Sequence, residues 1–386
     1  MPPANDPRFT TPASLPEKTQ PAPGLQAASG ATGSATATKA TPAARRLNLY
    51  GELDETGPVA GSPLDGSTNL VQVSFATEGA CVDPDVDRTG TLLVFASTVH
   101  RKTSDIYLKT VSGRTLTQIT SDPADDVMPA FNADATKIAF ASNRAGNWDI
   151  YLTGISGGPA TQITSEADHE LHPSWSPDGR SLAYCRFGTQ SGRWEIWVTD
   201  VANPGVKRFL DYGVFPEWCP DVARSKIAFQ RAKQRGSRDY SIWTIDVIND
   251  QASQATEIVS AANAALINPA WSPDGSRIAF VAVVDPLEDR ARPRQSDVWV
   301  VNVDGSNRMN LTSGQFANFQ PVWAGDGSVY FVSDRSGVDN LWAIRAGPPI
   351  GTNGAMQADA QPGAEKPQPS GIVNADNSGS TVSPHP

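Results

Sequence analysis

Between residues 70 and 347, large apolar side chains fall in short runs rich in β-branched and aromatic residues, alternating with polar ones and broken by Asp-Gly, Ser-Gly or Pro-Gly. That period of two, with turn residues at each break, predicts strands joined by hairpins. The runs recur in sets, each opening on a proline followed two residues later by a bulky apolar group. The sets read "DPDVDRTGTLLVFAS" (83–97), "MPAFNADATKIAFAS" (128–142), "HPSWSPDGRSLAYCR" (172–186), "FPEWCPDVARSKIAFQR" (215–231), "NPAWSPDGSRIAFVA" (268–282) and "QPVWAGDGSVYFVS" (320–333). The anchoring prolines, Pro84, Pro129, Pro173, Pro216, Pro269 and Pro321, lie 43 to 53 residues apart.

Each set supplies two further strands. The third strands are "DIYLKTV" (105–111), "DIYLTGI" (149–155), "EIWVTDV" (195–201), "SIWTIDV" (241–247), "DVWVVNV" (297–303) and "NLWAIRA" (340–346). The fourth strands are "LTQIT" (116–120), "TQITS" (161–165), "VKRFL" (206–210), "TEIVS" (256–260) and "MNLTS" (309–313). Four antiparallel strands in a repeat of this length predict a propeller blade. The sixth set has no fourth strand after "NLWAIRAG", whereas "NLVQVSFATEGACVDP" (69–84) has the register of "TQITSDPADDVMP". Residues 70–75 are therefore expected to complete the last blade, closing an all-β, six-bladed ring and removing an open sheet edge.

The repeats resemble the WD40-like (PD40) repeat of TolB-type propellers. Residues 173–184 and 269–280 follow its P-x-[WF]-S-P-D-G-x-x-[IL]-A-[FY] pattern, and "SNRAGNWDIY" (142–151) and "SDRSGVDNLW" (333–342) follow its second part. The resemblance implies a TolB-like fold over residues 70–347. It also implies a periplasmic or extracytoplasmic setting and a protein or peptide partner, such as a peptidoglycan-associated lipoprotein of the envelope. Relatives include interaction domains, gating domains beside peptidases, and lyases of pectic fragments, so fold alone does not give function. Residues 1–69 are expected to be too polar and rich in proline and glycine to form the α/β domain that precedes the propeller in TolB, and the residues given after the propeller are not expected to form a hydrolase domain.

Residues 1–45 and 348–386 carry few large apolar groups and are expected to be disordered tails, with 46–69 as an extended lead-in. A net charge of −10 disfavours general nucleic-acid binding. No apolar run reaches the roughly 18 residues of a membrane span, and the N-terminus does not show the build of a secretory signal. The three cysteines match no metal or disulfide spacing.

"DHELHPSWSPDG" (168–179) sets His169 and His172 three apart beside acids, but alignment of the repeats places His172 at the ordinary residue before the proline. Asp83, Met128, His172, Phe215, Asn268 and Gln320 share that position and are expected in extended backbone. They would form a mixed polar and apolar ring at the mouth of the central channel, suited to binding. Asp83, Asp85 and Asp87 alternate along the first inner strand, a pattern that would suit calcium or another divalent cation. "GISGG" (154–158) matches a nucleophile pattern, yet Ser156 falls in a hairpin rather than a strand-to-helix turn. Trp175, Trp218, Trp271 and Trp323 recur at one place in their repeats and read as core between blades.

Two lengthened second-to-third strand loops, 231–240 and 283–297, bring Arg231, Lys233, Arg235, Arg238, Arg290, Arg292 and Arg294 to neighbouring blades. A basic patch of this kind would receive an acidic peptide, the carboxylates of an acidic glycan, or a lipid phosphate. The reading is a non-catalytic interaction or ligand-binding module. A metal-assisted lyase or hydrolase of acidic oligosaccharides, and a structural propeller without a specific ligand, remain as alternatives.

Overall fold

The computed structural model describes residues 70–234, 239–248, 251–284, 295–312 and 315–347. These residues form six antiparallel sheets and no helix. The first blade comprises Cys81–Val86, Leu92–Ser97, Asp105–Thr110 and Thr117–Gln118, in sequence order from the innermost strand outward. The inner strands of the other blades are Asp126–Phe131, Glu170–Trp175, Val214–Trp218, Ala264–Trp271 and Asn318–Trp323. Blade four carries an additional short strand, Gln251–Ala252, paired with the end of Tyr240–Ile248.

Ring closure follows the expected register over a shorter span than residues 70–75. Leu70–Gln72 pairs with Asn340–Arg345, setting Leu70 against Ile344 and Gln72 against Trp342. Beyond this strand, the Val73 amide donates to the Leu341 carbonyl at 2.8 Å, and the Lys109 ammonium donates to the Val73 carbonyl at 2.7 Å. The closing segment is thereby tied to the last and first blades together.

The second strand of each blade is the core. Phe95, Phe140, Tyr184, Phe229, Phe280 and Phe331 are fully buried, as are their neighbours Leu93, Ile138, Leu182, Ile227 and Ile278. A strand sandwiched between two other blades has no wet face, so it reads as a continuous apolar run such as "KIAFAS". Burial of each of these rings contributes roughly 1.5–3 kcal/mol.

Every inner strand breaks register at its proline. In blade one, Val82 faces Ala96 and Asp85 faces Val94, leaving Asp83 and Pro84 opposite the single residue Phe95. The same two-against-one bulge recurs opposite Phe140, Tyr184, Phe229, Phe280 and Phe331. At each bulge the residue before proline has a positive φ: Asp83 51°, Met128 54°, His172 55°, Phe215 53°, Asn268 51° and Gln320 51°. The extended conformation expected for these residues is therefore incorrect. Proline disfavours right-handed helical backbone in the residue before it, and the bulge selects the left-handed alternative over the extended one. A non-glycine residue held there costs on the order of 1–2 kcal/mol.

The hairpins that follow explain the recurring Ser-Pro-Asp-Gly. Asp178 accepts from the Ser176 hydroxyl at 2.6 Å and the Arg180 amide at 3.1 Å, and Gly179 supplies φ +71°. Asp274 and Gly275 repeat the arrangement, with Ser272 donating at 2.6 Å.

Candidate ligand-binding channel

The six bulges converge on the propeller axis. Asp83, Met128, His172, Phe215, Asn268 and Gln320 line one end of a cavity of about 220 Å³ that runs to the hairpins between first and second strands, where exposed Arg88 borders it. The ring residues are joined around the axis. The Gln320 carboxamide donates to Asp83 and accepts from the Asp83 amide at 2.9 Å, and Asp83 accepts from the Met128 amide at 3.3 Å. The His172 and Phe215 rings lie 3.6 Å apart between centroids. Burial holds the His172 imidazole well below its usual range, at about 3, so it is neutral at physiological pH.

Below this ring the residues after the prolines also face the cavity: Asp85, Ala130, Ser174, Glu217, Ala270 and Val322. Asp85 on blade one and Glu217 on blade four stand on opposite sides of a six-membered ring. Burial raises Asp85 to about 7, against the lowering effect of the Phe131 and Val86 amides that donate to it at 2.7 and 2.8 Å. Glu217 is raised to about 8 by burial and then by the charge of Asp85, while a hydrogen bond from Ser174 opposes the shift. Glu217, which the sequence reading did not single out, is written in the same repeat alignment, one residue after Pro216. Its signal was a second acid, beside Asp85, at a position where the four remaining blades have Ala, Ser or Val.

Asp83, Asp85 and Asp87, expected as ligands of a divalent cation, do not gather into one cluster. Among the described residues, no three His, Cys, Asp or Glu side chains come together as metal ligands. The bulge breaks simple alternation and gives the three carboxylates different partners: Asp83 meets Gln320 and the Met128 amide, Asp85 accepts one backbone amide on each oxygen, from Phe131 and Val86, and Asp87 closes its own turn. There Asp87 accepts from the amides of Thr91 and Leu92 at 2.8 and 2.6 Å.

The histidine pair also separates. His169 Nδ1 accepts from the Trp148 amide at 3.3 Å, outside the inner strand that carries His172. Ser156 lies in the hairpin after Asp149–Gly154, followed by Gly157 and Gly158 at φ +75° and +111°. The four tryptophans are buried core residues. Trp175 and Trp271 use their indole N–H groups to bond the carbonyls of Ala130 and Glu217 on the preceding blades, at 3.1 and 2.8 Å.

Of the basic loop residues, Arg231 pairs with Asp211, donates to the Tyr212 carbonyl at 3.2 Å and stacks 4.5 Å from Trp243. Lys233 donates to the Ala261 carbonyl. Both cations bind their own protein. Arg235, Arg238, Arg290, Arg292 and Arg294 lie outside the described residues, as do 1–69 and 348–386.

A second acidic group sits between blades two and three. Asp149 and Glu170 are fully or almost fully buried, and none of their carboxyl oxygens has a well-aligned hydrogen-bond donor, although Thr164 beside both and Gln162 beside Asp149 oppose the effect of burial. Burial raises both, with the charge of Glu166 adding to it, so the pair retains a shared proton.

The tricorn protease N-terminal β-propeller family matches residues 149–349, just over half of the chain, and the TolB β-propeller (PD40) family matches residues 65–214. The fold is similar to that of a TolB from Agrobacterium tumefaciens, at 20% identity and a TM-score of 0.55, over 72% of this chain and 96% of that one. TolB from Acinetobacter baumannii is similar over 63% of this chain and 57% of its own, also at 20% identity, with a TM-score of 0.51. An oligogalacturonate lyase in complex with manganese covers 72% of this chain and 94% of its own, at 13% identity and a TM-score of 0.49. No curated protein sequence matches. The chain belongs to the tricorn N-terminal β-propeller family and is a TolB-like six-bladed propeller built of PD40 repeats.

Proposed function

We propose that this propeller is a non-catalytic binding module of the cell envelope that receives part of a protein or peptide partner in its central channel. One observation carries the reading: all six blades hold the residue before proline in a costly left-handed bulge, and all six bulges serve one cavity. Bulges re-aim side chains, and strain maintained six times over is supported by the surrounding core. The ring presents apolar Met128 and Phe215 among polar groups, the composition of a recognition surface. The envelope setting and a lipoprotein partner rest on likeness to TolB proteins. Among the described residues no helix is long and apolar enough to cross a membrane.

Affinity capture from envelope extract tests the reading, comparing wild type with Phe215→Ala and Glu217→Gln. A partner retained by wild type and lost from a folded channel variant supports it. Identical partner lists for all three proteins would refute the channel as the binding element.

A further inference from the structure

The cavity has a charge pattern that selects among ligands. Among the described residues its lining contains carboxylates at two levels, a neutral imidazole, and one permanent cation, Arg88, which is exposed and donates to the Pro177 carbonyl at 3.1 Å. The walls between are apolar: the six prolines of the bulges, Ala130, Ala270, Val322 and Met128. Asn268 is 92% buried, lines the cavity, and makes no side-chain hydrogen bond among the described residues; only its backbone amide is bonded, to Gln230 at 2.8 Å. A carboxamide on a largely buried residue, lining an acid-lined space with no protein partner, marks a place for a polar ligand group.

Building on the channel reading above, we propose that the cavity binds an aliphatic primary ammonium, its nitrogen between the Asp85 and Glu217 carboxylates. An ammonium carries three N–H donors and accepts none, so it needs oxygen acceptors from different directions rather than a cluster of metal ligands. Asp85 and Glu217 supply two opposed acceptors, and the Asn268 carbonyl or Ser174 hydroxyl a third. An alkyl stem matches the proline and alanine walls, as a lysine stem lies along apolar surface elsewhere. The space is below the roughly 300–1,000 Å³ of pockets for drug-sized ligands, and admits one side chain or a small amine. Asp83, Asp87, Arg88 and His172 are the other titratable groups facing it. Asp85 and Glu217 bind a cation only when ionised, so affinity rises with pH through about 7 to 8.

Calorimetric titration tests this with two probes: 1-aminopentane, and a capped tripeptide with a central lysine, beside the same peptide acetylated on that lysine. Wild type at about pH 8.5 is expected to bind at least one of the two ammonium probes and not the acetylated peptide. Asp85→Asn and Glu217→Gln, with wild-type unfolding midpoints, are expected to weaken binding by about tenfold or more, the scale for removing one partner of a desolvated charge pair. Binding of the free amine alone identifies a small-molecule amine as ligand, and binding of the peptide identifies a partner's lysine. No binding of either probe to wild type, or equal affinity in folded variants, overturns the proposal. An envelope partner retained equally by wild type and Glu217→Gln, and lost from Phe215→Ala, would overturn the ammonium site and leave the binding-module reading standing. Amine binding without any retained partner would do the reverse.

Discussion

Glu170→Gln should make this protein more stable, and more so as the pH rises. In blade two the equivalent position, Asp126, is answered by Arg144 at 2.9 and 3.0 Å, and in blade six Asn318 is met by Arg335 at 3.0 Å. Both arginines stand four residues after the buried aromatic of their second strand. In blade three Gly188 occupies that place, and Arg186 turns instead to Glu195 at 3.2 Å and Asp168 at 3.8 Å. Glu170 is left facing Asp149, so the folded state keeps a proton that the unfolded chain releases above the ordinary glutamate value of 4.5.

With more protons bound in the folded state, stability falls as pH rises from that value. The loss is about 1.4 kcal/mol per pH unit for one retained proton, or about 3 kcal/mol by pH 7. Glutamine keeps the shape, carries no proton to lose, and donates an N–H to Asp149. The expected gain is about 1–3 kcal/mol at pH 7, vanishing near pH 4.5. Urea denaturation of both proteins across about pH 5 to 8 measures it. Asp85 and Glu217 titrate with the same sign in both proteins, so the informative quantity is the difference between them. A difference independent of pH, or a loss of stability in the variant at pH 7, would refute the reasoning. Asp149→Asn added to Glu170→Gln should give less than the sum of the single effects, because the two groups hold one proton between them.

Asn268→Gly should leave stability unchanged or raise it by up to about 1 kcal/mol, since the side chain has no bond to lose and glycine accepts φ 51° freely; Asn268→Val should cost about 2 kcal/mol or more. Urea midpoints that rank valine above glycine would contradict the bulge argument. Gly275→Ala places a methyl group 2.7 Å from the Cys219 sulfur at φ +64°, and a loss of about 1–3 kcal/mol is expected by thermal or chemical unfolding. Cys81, Cys185 and Cys219 are buried and unpaired, and burial raises each thiol above its ordinary value. A thiol reagent at neutral pH should therefore label the native protein slowly and all three cysteines once it is unfolded, whereas rapid labelling of native protein would contradict the packing.

The blades were legible because each repeat states its own strands and turns locally. Apolar runs between Asp-Gly turns need no distant contact to be read, and six copies reinforce one another. Even the closing strand could be placed, since residues after Gln72 share the register of the other fourth-to-first connections. The alternation assumed for Asp83, Asp85 and Asp87 does not hold, because the strand carrying Asp83 and Asp85 contains a bulge. A bulge depends on what faces it across the sheet, here a buried aromatic, and that pairing is not written in the strand itself.

The sequence by itself determined how many blades there are, where their strands begin and which residues share each position, since hydrophobic period and turn chemistry act over a few residues. Only the tertiary structure decided which of those positions face one another. Asp85 and Glu217 lie 132 positions apart in the chain and become opposed because blades one and four oppose each other when six blades close. Glu170 becomes a proton-holding acid because Arg186 pairs elsewhere and Asp149 arrives from the neighbouring blade. Charge and desolvation depend on distance and burial, and both are fixed only when the ring is assembled.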